Sequence, residues 1–269
     1  MLVLLEPYRV LDLTDERGEL AGFMLAQLGA EVIAIEPPNG SPSRSMGPFR
    51  GGKPGIENSL RFSSYGRGKS SVILDLIGSE SDRQKLLELA KGADVLIDSA
   101  AAGKLAELGL SYNDVAQVNP ALIYVSITPF GLSGPKADWA ATDLTVWAAA
   151  GPAGITGDSD RAPLRLQSEQ ASMHASAEAA GAIIAALYER SRSGLGQLVD
   201  VSAQQASAQA TQSMILAHPN GDTMLTREAG GLKFGDVFSQ LLWPCMDGHV
   251  SVTFLFGSAI GVATDRLMQ

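Results

Sequence analysis

The chain has 269 residues, of which 45% are hydrophobic and 18% are charged, a composition typical of a globular protein with a substantial core. Its formal net charge of −9 argues against a nucleic-acid partner and against adhesion to an anionic membrane, because both require a surplus of Lys and Arg. The single cysteine, Cys245, excludes an intramolecular disulfide framework. No apolar run approaches the roughly 18 residues of a membrane span. We therefore expect a soluble, cytoplasmic protein.

Short β-rich runs alternate with segments of helical period along most of the chain. This spacing indicates right-handed βαβ crossovers, so the predicted fold class is α/β with a doubly wound, Rossmann-like and mostly parallel sheet. The predicted strands cover residues 9–13, 31–36, 71–76, 94–97, 122–127 and 198–201. The predicted helices cover residues 19–28, 81–91, 175–186 and 204–216.

Two segments fall outside this alternation. Residues 37–69 are rich in Gly, Pro, Ser and Arg without periodicity, which predicts a long surface excursion. Loops of this length in a compact domain are more often functional than idle. Near the end, residues 243–250 read as a strand and a turn.

The motifs of several other enzyme classes are missing. Residues 47–53 have the spacing Gly-x4-Gly-Lys, but Pro54 follows where a P-loop needs a hydroxyl for Mg²⁺. The turn after the first strand has no Gly-x-Gly-x-x-Gly, so a dinucleotide cofactor is not predicted. His174, His218 and His249 stand alone rather than at metal-ligand spacing, and no metal site is predicted.

Several blocks of the chain do form a pattern when they are taken in order. They cover residues 9–14, 28–38, 68–76, 93–98, 108–112, 119–123, 126–135 and 185–202. Together they resemble successive blocks of the family III CoA-transferases, the superfamily that includes formyl-CoA transferase and α-methylacyl-CoA racemase. The chain is thus identified as similar to the N-terminal, large-domain portion of that family.

The resemblance also implies a domain organisation. Residues 1–217 would form a Rossmann-like large domain, and residues 218–269 would start the connection to a small domain that is absent or incomplete in this chain. Family members run on well past the region matched, so the remainder would be a separate polypeptide or the chain would be a reduced form. The implied assembly is an interlocked dimer or a heteromer.

The chemistry that the resemblance implies is transfer of CoA from an acyl-CoA to a carboxylic acid, with CoA as substrate and no bound cofactor. An aspartate carboxylate attacks the acyl thioester and becomes an anhydride, then an enzyme-bound CoA thioester. Counted back from the turn near residue 195, the place of this aspartate is taken by Ser172, or by Ala171 if the gap is placed one residue earlier. Glu169 is the nearest carboxylate, one helical turn upstream; it could reach the same pocket or stand as a solvated glutamate at the helix start.

The residues that would hold CoA also depart from the family pattern. After Asp98 the family's Asn-Phe pair is replaced by Ser99 and Ala100, and Glu107 stands where a basic residue would fall. Lys69 matches a lysine of the family pattern, and Arg17 and Arg44 lie in loops that could face a ligand. The candidate CoA-binding residues are Arg17, Arg44, Lys69, Ser99 and Gly103. Four of them have a plainer interpretation: Gly103 as a turn, Lys69 as a surface lysine beside a strand, and the two arginines as solvated side chains.

Four functional hypotheses remain open. The preferred one is a supporting subunit of a heteromeric CoA-transferase whose catalytic aspartate lies on a related second chain. The alternative from another class is a non-catalytic acyl-CoA-binding or regulatory protein. A self-sufficient transferase using Glu169, and a 2-methylacyl-CoA racemase, are less favoured; in the racemase motif Thr142 occupies the histidine position.

Overall fold

The computed structural model describes residues 4–212, 216, 219–221, 226–228, 230–234, 237–252 and 266. It divides the chain into two compact units. The first unit comprises Met1–Ala150 and Gln167–Ala210, and the second comprises Gly151–Leu166 and Thr211–Gln269. Every candidate residue that the sequence singles out belongs to the first unit.

The first unit is built on a six-stranded sheet in which every neighbouring pair of strands is parallel. The strand order is β3-β2-β1-β4-β5-β6, which confirms the predicted doubly wound α/β class. The strands are β1 Arg9–Leu13, β2 Glu31–Glu36, β3 Lys69–Ile73, β4 Val95–Asp98, β5 Ile123–Thr128 and β6 Leu198–Ser202. Strands β4 and β5 are buried along their whole length, as expected for a parallel sheet covered on both faces.

Helices cover the sheet on both sides. They are α1 Glu19–Gln27, α2 Leu60–Tyr65, α3 Glu80–Ala90, α4 Tyr112–Val118, α5 Asp143–Ala149, α6 Gln170–Ser193 and α7 Ala203–Ala208. On one face, Leu86 of α3 and Val115 of α4 pack in a cluster with Leu11 and Leu96 of the strands. Helix α6 packs against α1, β5 and β6. Because side chains alternate along a strand, each strand contributes to both cores.

The strand order reverses between β1 and β4, and this reversal creates a crevice at the carboxyl ends of the two strands. Ligands of doubly wound folds bind at such a switch point. The turns that leave the two strands are tied together there: Asp15 N donates to Ser99 Oγ at 2.9 Å, and Ser99 Oγ donates to Asp15 Oδ1 at 2.9 Å. Ser99 is thus buried in a link between turns.

Helix α6 is twice as long as the sequence indicated, because the prediction over residues 175–186 covered only its alanine-rich middle. Its buried residues include Ala171, Ala175, Ala179 and Ile183, which are four apart and so share one face. The helix ends at Gly194, whose φ of 76° is the left-handed conformation that caps helices and favours glycine. The extension at its start places Ser172 in the first turn of α6 and Glu169 at its N-cap.

Two other predictions need correction. Strand β3 is Lys69–Ile73 rather than residues 71–76, because the chain turns at Asp75, which accepts a hydrogen bond from Gly78 N at 2.8 Å. Residues 37–69 are not a surface excursion throughout. Ser43 and Ser59 are buried, and Ser59 Oγ caps α2 by accepting a hydrogen bond from Phe62 N at 3.1 Å.

The second unit contains two antiparallel strand pairs among the residues described. Strand β7 Gly231–Phe234 pairs with β8 Val237–Gln240, and β9 Leu242–Cys245 pairs with β10 Gly248–Ser251. The second pair confirms the strand and turn predicted over residues 243–250. The helix predicted over residues 204–216 begins as α7 and continues as a short 3₁₀ turn to Thr211; residues 213–215 and His218 lie outside the described residues.

Within the part of the chain that is described, no helix has the combination of length and apolarity needed to cross a membrane.

Candidate functional site

A cavity of about 270 Å³ lies at the carboxyl edge of the sheet, beside the first turn of α6; we call it the α6 cavity. Four residues to which the sequence pointed line it together: Arg17, Glu169, Ala171 and Ser172. Its remaining lining residues are Glu16, Ile127, Thr128, Pro129, Ala141, Thr142, Asp143, Val146 and Ala203. The wall is therefore largely apolar, with a few charged groups at defined places, as in most ligand-binding cavities.

Ser172, which the family resemblance predicts at the place of the catalytic aspartate, is not an activated nucleophile. Its backbone N–H donates to Asp143 Oδ1 at 3.0 Å, and none of the described residues forms a hydrogen bond with its hydroxyl. A serine attacks a thioester only when an adjacent base takes its proton. The hydroxyl of Ser172 therefore has no base among the described residues that could activate it.

Asp143 is a cavity carboxylate that the sequence interpretation did not single out. Asp143 is the first residue of α5, which Thr142 caps at the N-terminus. The Oδ1 atom of Asp143 accepts the hydrogen bond from Ser172 N in the first turn of α6. The sequence does contain a signal for it, since Asp143 directly follows Thr142, the residue at the histidine position of the racemase motif.

Glu169 is neither a solvated glutamate nor an unengaged carboxylate, because Arg61 Nη1 contacts its Oε2 atom. The same guanidinium donates from Nε to Glu19 Oε1 at 2.7 Å and from Nη2 to Glu16 O at 2.8 Å. Burial raises the pKa of the Glu19 carboxyl, although the hydrogen bond from Arg61 opposes the shift. Arg61 therefore joins the turn after β1 to the start of α6.

Arg17 is the most exposed of the candidate cations, with 44% of its side chain accessible. Its Nε atom donates to Asp15 Oδ1 at 2.9 Å, and its Nη2 atom donates to Asp15 Oδ2 at 2.5 Å. The Nη1 atom forms no hydrogen bond with any described residue. Arg17 can thus offer donors to a ligand while Asp15 holds its orientation.

The two other candidate cations, Arg44 and Lys69, line a separate cavity of about 170 Å³, which we call the paired pocket. Lys69 Nζ donates to Asp12 Oδ2 at 2.7 Å and to Glu19 O at 2.8 Å. The side chains of Lys69 and Asp12 are only 5% and 2% exposed, so the interpretation of Lys69 as a surface lysine is wrong.

Arg44 is bound as completely as Lys69. Its Nε and Nη2 atoms donate to the two carboxylate oxygens of Glu36 at 2.6 and 2.8 Å, and its guanidinium lies 3.8 Å from the ring centroid of Phe62. The hydrogen bonds from Arg44 lower the pKa of Glu36 to about 2, against the opposing effect of burial. Only 14% of the Arg44 side chain is exposed, so the interpretation of Arg44 as a solvated side chain is also wrong.

Gly103 lines a third cavity, of about 250 Å³, next to Asp98 and Tyr124; we call it the Asp98 cavity. The φ of Gly103 is 77°, which supports the turn that the sequence suggested. Burial raises the pKa of Asp98 to about 6, although its carboxylate accepts a hydrogen bond from Ala100 N at 2.9 Å. A buried carboxyl held above its usual pKa is a common property of functional clefts.

Metal chemistry has no support in the described part of the chain, where no group of three or more His, Cys, Asp or Glu side chains could hold a metal ion.

Comparison with known proteins shows the family to which this chain belongs. The model of the family described as CoA-transferase family III matches residues 5–259. A protein of Thauera aromatica named succinyl-CoA:(R)-benzylsuccinate CoA-transferase subunit BbsE is 38% identical over 253 residues, which are 93% of this chain and 60% of the relative. An acetyl-CoA:oxalate CoA-transferase of Acetobacter aceti is 39% identical over 72% of this chain and 49% of its own length.

Solved structures give the same result. The crystal structure of a CaiB/BaiF family protein from Brucella suis superposes with a TM-score of 0.81 at 28% identity, covering 90% of this chain and 64% of that one. Rv3272 from Mycobacterium tuberculosis superposes with a TM-score of 0.73 at 33% identity, over 81% and 60% of the two chains. The chain belongs to CoA-transferase family III. It spans 60% and 49% of the two curated relatives named above.

Proposed function

We propose that this chain is a supporting subunit of a heteromeric family III CoA-transferase, which exchanges CoA between an acyl-CoA and a carboxylic acid. The observation that carries the proposal is the state of Ser172. The family pattern predicts Ser172 at the place of the nucleophile; the residue lines the α6 cavity, and its hydroxyl has no base among the described residues. The nucleophilic aspartate would then lie on a related second chain.

The reaction consists of acyl exchanges at that aspartate. Its carboxylate attacks the thioester carbonyl, the C–S bond breaks, and CoA leaves as the thiolate while a mixed anhydride forms. The thiolate then attacks the aspartyl carbonyl of the anhydride, which releases the donor acid and leaves an aspartyl-CoA thioester. The acceptor carboxylate reverses these steps and departs as its own CoA thioester. No metal or resident cofactor is needed; CoA enters and leaves as substrate.

Two further features favour the role of a supporting subunit. The loop after β4 presents Ser99, which is bonded to Asp15, and Glu107 where the family has a basic residue. A glutamate is unfavourable beside a phosphate-rich ligand. One of the relatives is itself named as a subunit of its transferase. The same features would suit a non-catalytic acyl-CoA-binding protein, which differs by binding CoA esters without turnover in any complex.

The first test is native mass spectrometry of the chain purified gently from its own source, followed by assays of each complex found. We expect a complex with a related chain that carries the missing aspartate, and turnover only when both chains are present. Full transferase turnover by this polypeptide alone would overturn the proposal.

A gain-of-function variant addresses the same point from the other side. Ser172→Asp restores a carboxylate in the first turn of α6, where the helix dipole favours a negative charge. Acyl-CoA should then produce a covalent adduct that hydroxylamine releases, detected by intact-protein mass. Ser172→Asn is the matched control, with the same shape and no nucleophilic carboxylate, and it should give no adduct.

A second candidate, a self-sufficient transferase, is favoured by one observation. The carboxylate of Asp143 lies 3.0 Å from the backbone nitrogen of Ser172 and lines the same cavity. Glu169 is less suited to this role, because its carboxylate is bound by Arg61. Trapping the wild-type chain with acyl-CoA and hydroxylamine distinguishes the two functions: a modified Asp143, abolished in Asp143→Asn, would establish self-sufficiency.

A further inference from the structure

One carboxylate of the α6 cavity has a buried oxygen that has no partner in the described part of the chain. Glu16 lies in the turn after β1 and lines the cavity. Its Oε2 atom is buried and accepts no hydrogen bond from any described residue. Buried polar atoms in folded proteins are almost always paired, so an exception needs a physical explanation. In the described part of the chain, only one other buried side-chain atom, Trp147 Nε1, shares this condition.

The other two carboxylates in the cavity wall differ from Glu16 in this respect. Glu169 is bound by the guanidinium of Arg61, and Asp143 Oδ1 accepts the backbone N–H of Ser172. The cavity therefore does not lack donors in general. Its wall satisfies two acidic side chains and leaves the third with an unused acceptor.

The backbone around Glu16 is fixed, so the unpaired oxygen is not a result of a loose turn. Glu16 O accepts a hydrogen bond from Arg61 Nη2 at 2.8 Å. The neighbouring Asp15 is held by Ser99 Oγ and by the side chain of Arg17, and Asp15 O accepts a hydrogen bond from Gly18 N at 3.0 Å. A rigid turn that carries an unused acceptor is prepared for a ligand that brings a donor.

We infer that Glu16 is a specificity-determining residue whose carboxylate accepts a hydrogen bond from an N–H or O–H group of the bound CoA thioester. The inference rests on the proposed function, because it takes the chain as part of a CoA-transferase. It adds that the α6 cavity of this chain binds the acyl end of a CoA thioester although the nucleophile lies on the second chain. A cavity of about 270 Å³ can hold an acyl group and the adjoining end of the pantetheine arm, but not a whole CoA molecule. The donor is therefore an amide N–H of that arm or a hydroxyl on the acyl group.

Calorimetric titration of the wild type, Glu16→Gln and Glu16→Leu with CoA, butyryl-CoA and 3-hydroxybutyryl-CoA tests the inference. We expect Glu16→Leu to weaken binding by about ten- to a hundredfold, the range for a lost hydrogen bond to a charged group, and Glu16→Gln to lie between. An equal loss for all three ligands places the donor on the pantetheine arm. A loss confined to the hydroxyacyl ester places it on the acyl group.

Other outcomes separate this inference from the proposed function. Unchanged affinities of Glu16→Leu for all three ligands would overturn the role of Glu16 and leave the CoA-transferase proposal intact. A wild-type chain that binds none of the three, alone or in its complex, would overturn both. Glu80→Gln is the charge control, since Glu80 is exposed on α3 away from the cavity, and its affinities should match those of the wild type.

A stability measurement distinguishes ligand recognition from a structural role. An unpaired buried carboxylate oxygen destabilises the unliganded protein, so Glu16→Leu should raise the melting temperature by about 2 to 4 °C while it weakens binding. A side chain needed for the turn itself would give the opposite sign. A lower melting temperature together with weaker binding would therefore assign Glu16 to the architecture and reject its role as a ligand acceptor.

Discussion

The α6 cavity and the paired pocket both lie at the carboxyl ends of strands of one sheet, and both contain residues that the family resemblance suggested as ligand contacts. They differ in how completely their charges are bonded. In the paired pocket, Lys69 and Arg44 each bind one buried carboxylate, Asp12 and Glu36 respectively. In the α6 cavity, neither Arg17 Nη1 nor the buried Oε2 atom of Glu16 forms a hydrogen bond with a described residue.

This difference shows which charges serve the fold and which remain available for a ligand. A cation that must release a buried carboxylate before it binds a phosphate would leave that carboxylate uncompensated, at a cost of several kcal/mol. Lys69 and Arg44 are therefore positioned to hold β1, β2 and the excursion together. We expect a ligand to be bound by the groups that still have unused donors or acceptors, Arg17 and Glu16.

The largest effect is expected at Lys69. The substitution Lys69→Met keeps the apolar stem but leaves Asp12, which is 2% exposed, without its counter-charge. Breaking a buried pair in this way costs about 3 to 5 kcal/mol in the free energy of unfolding, measured by urea denaturation at pH 7. Lys104→Met, which removes an exposed lysine from a surface pair, is the control and should change nothing measurable. A Lys69→Met variant as stable as this control would contradict the assignment.

At low pH, the ion pair between Glu36 and Arg44 in the paired pocket should contribute less to the free energy of unfolding. The pKa of Glu36 is about 2 in the folded chain and 4.5 normally, so its stabilising contribution is complete above pH 4.5 and is lost as the pH falls toward 2. The shift corresponds to about 3 kcal/mol of the free energy of unfolding. Arg44→Gln should remove this contribution, so that wild type and variant differ most near pH 7 and converge near pH 2. A difference that does not change with pH would contradict this explanation; Glu57→Gln, at the exposed partner of Arg44, is the control.

At the Asp98 cavity, we expect the opposite dependence of stability on pH, because the pKa of Asp98 is raised whereas that of Glu36 is lowered. The pKa of Asp98 is raised from 3.8 to about 6, so between these pH values the folded chain binds more protons than the unfolded chain. Stability therefore falls as the pH rises through this window, by about 2 to 3 kcal/mol. Asp98→Asn keeps an acceptor for Ala100 N and removes the charge. We expect it to be the more stable protein at pH 7 by a similar amount, with a flatter pH profile; a destabilised variant would show that the ionised form is favoured.

The sequence allowed the fold to be predicted because periodicity and turn residues act locally. Strands β1 and β2 agree with their predicted bounds, and the long helix was recognised from its alanine-rich middle. The charge pairing could not be predicted, because it depends on long-range contacts. Lys69 meets Asp12 across 57 residues, and Arg61 meets Glu169 across 108 residues. No local pattern indicates that a lysine beside a strand is buried, or that an arginine in an aperiodic segment holds the start of α6.

The same limit explains what was missed in the α6 cavity. The family pattern predicts the position of Ser172, and Glu169 is the carboxylate nearest to it in the chain, whereas Arg17 is a candidate because it lies in a loop that could face a ligand. Asp143 belongs to a different helix and reaches Ser172 only through the packing of α5 on α6. Its role could be inferred only once the two helix starts were seen together. Residue types were thus readable from the sequence, but their bonding was not.

Replacing an arginine by glutamine in each of the two regions gives the sharpest contrast between them. The smallest effect on stability is expected in the α6 cavity. Arg17→Gln removes a guanidinium that is 44% exposed and paired with the neighbouring Asp15. The free energy of unfolding should change by no more than about 0.5 kcal/mol, as for other exposed pairs. Arg44→Gln should be markedly less stable, because it leaves Glu36 buried without its partner.

Ligand binding should reverse this order. Arg17→Gln removes the donors that face the α6 cavity, so its affinity for an acyl-CoA should fall about three- to tenfold, the effect of losing one partly solvated charged contact. The Arg44→Gln variant, assayed below its melting temperature, should keep the wild-type affinity. In the wild type, the guanidinium of Arg44 already donates its hydrogen bonds to Glu36 and Glu57. If Arg44→Gln lost affinity and Arg17→Gln did not, the paired pocket would be the ligand site, and saturated hydrogen bonding would no longer distinguish residues of the fold from residues of the function.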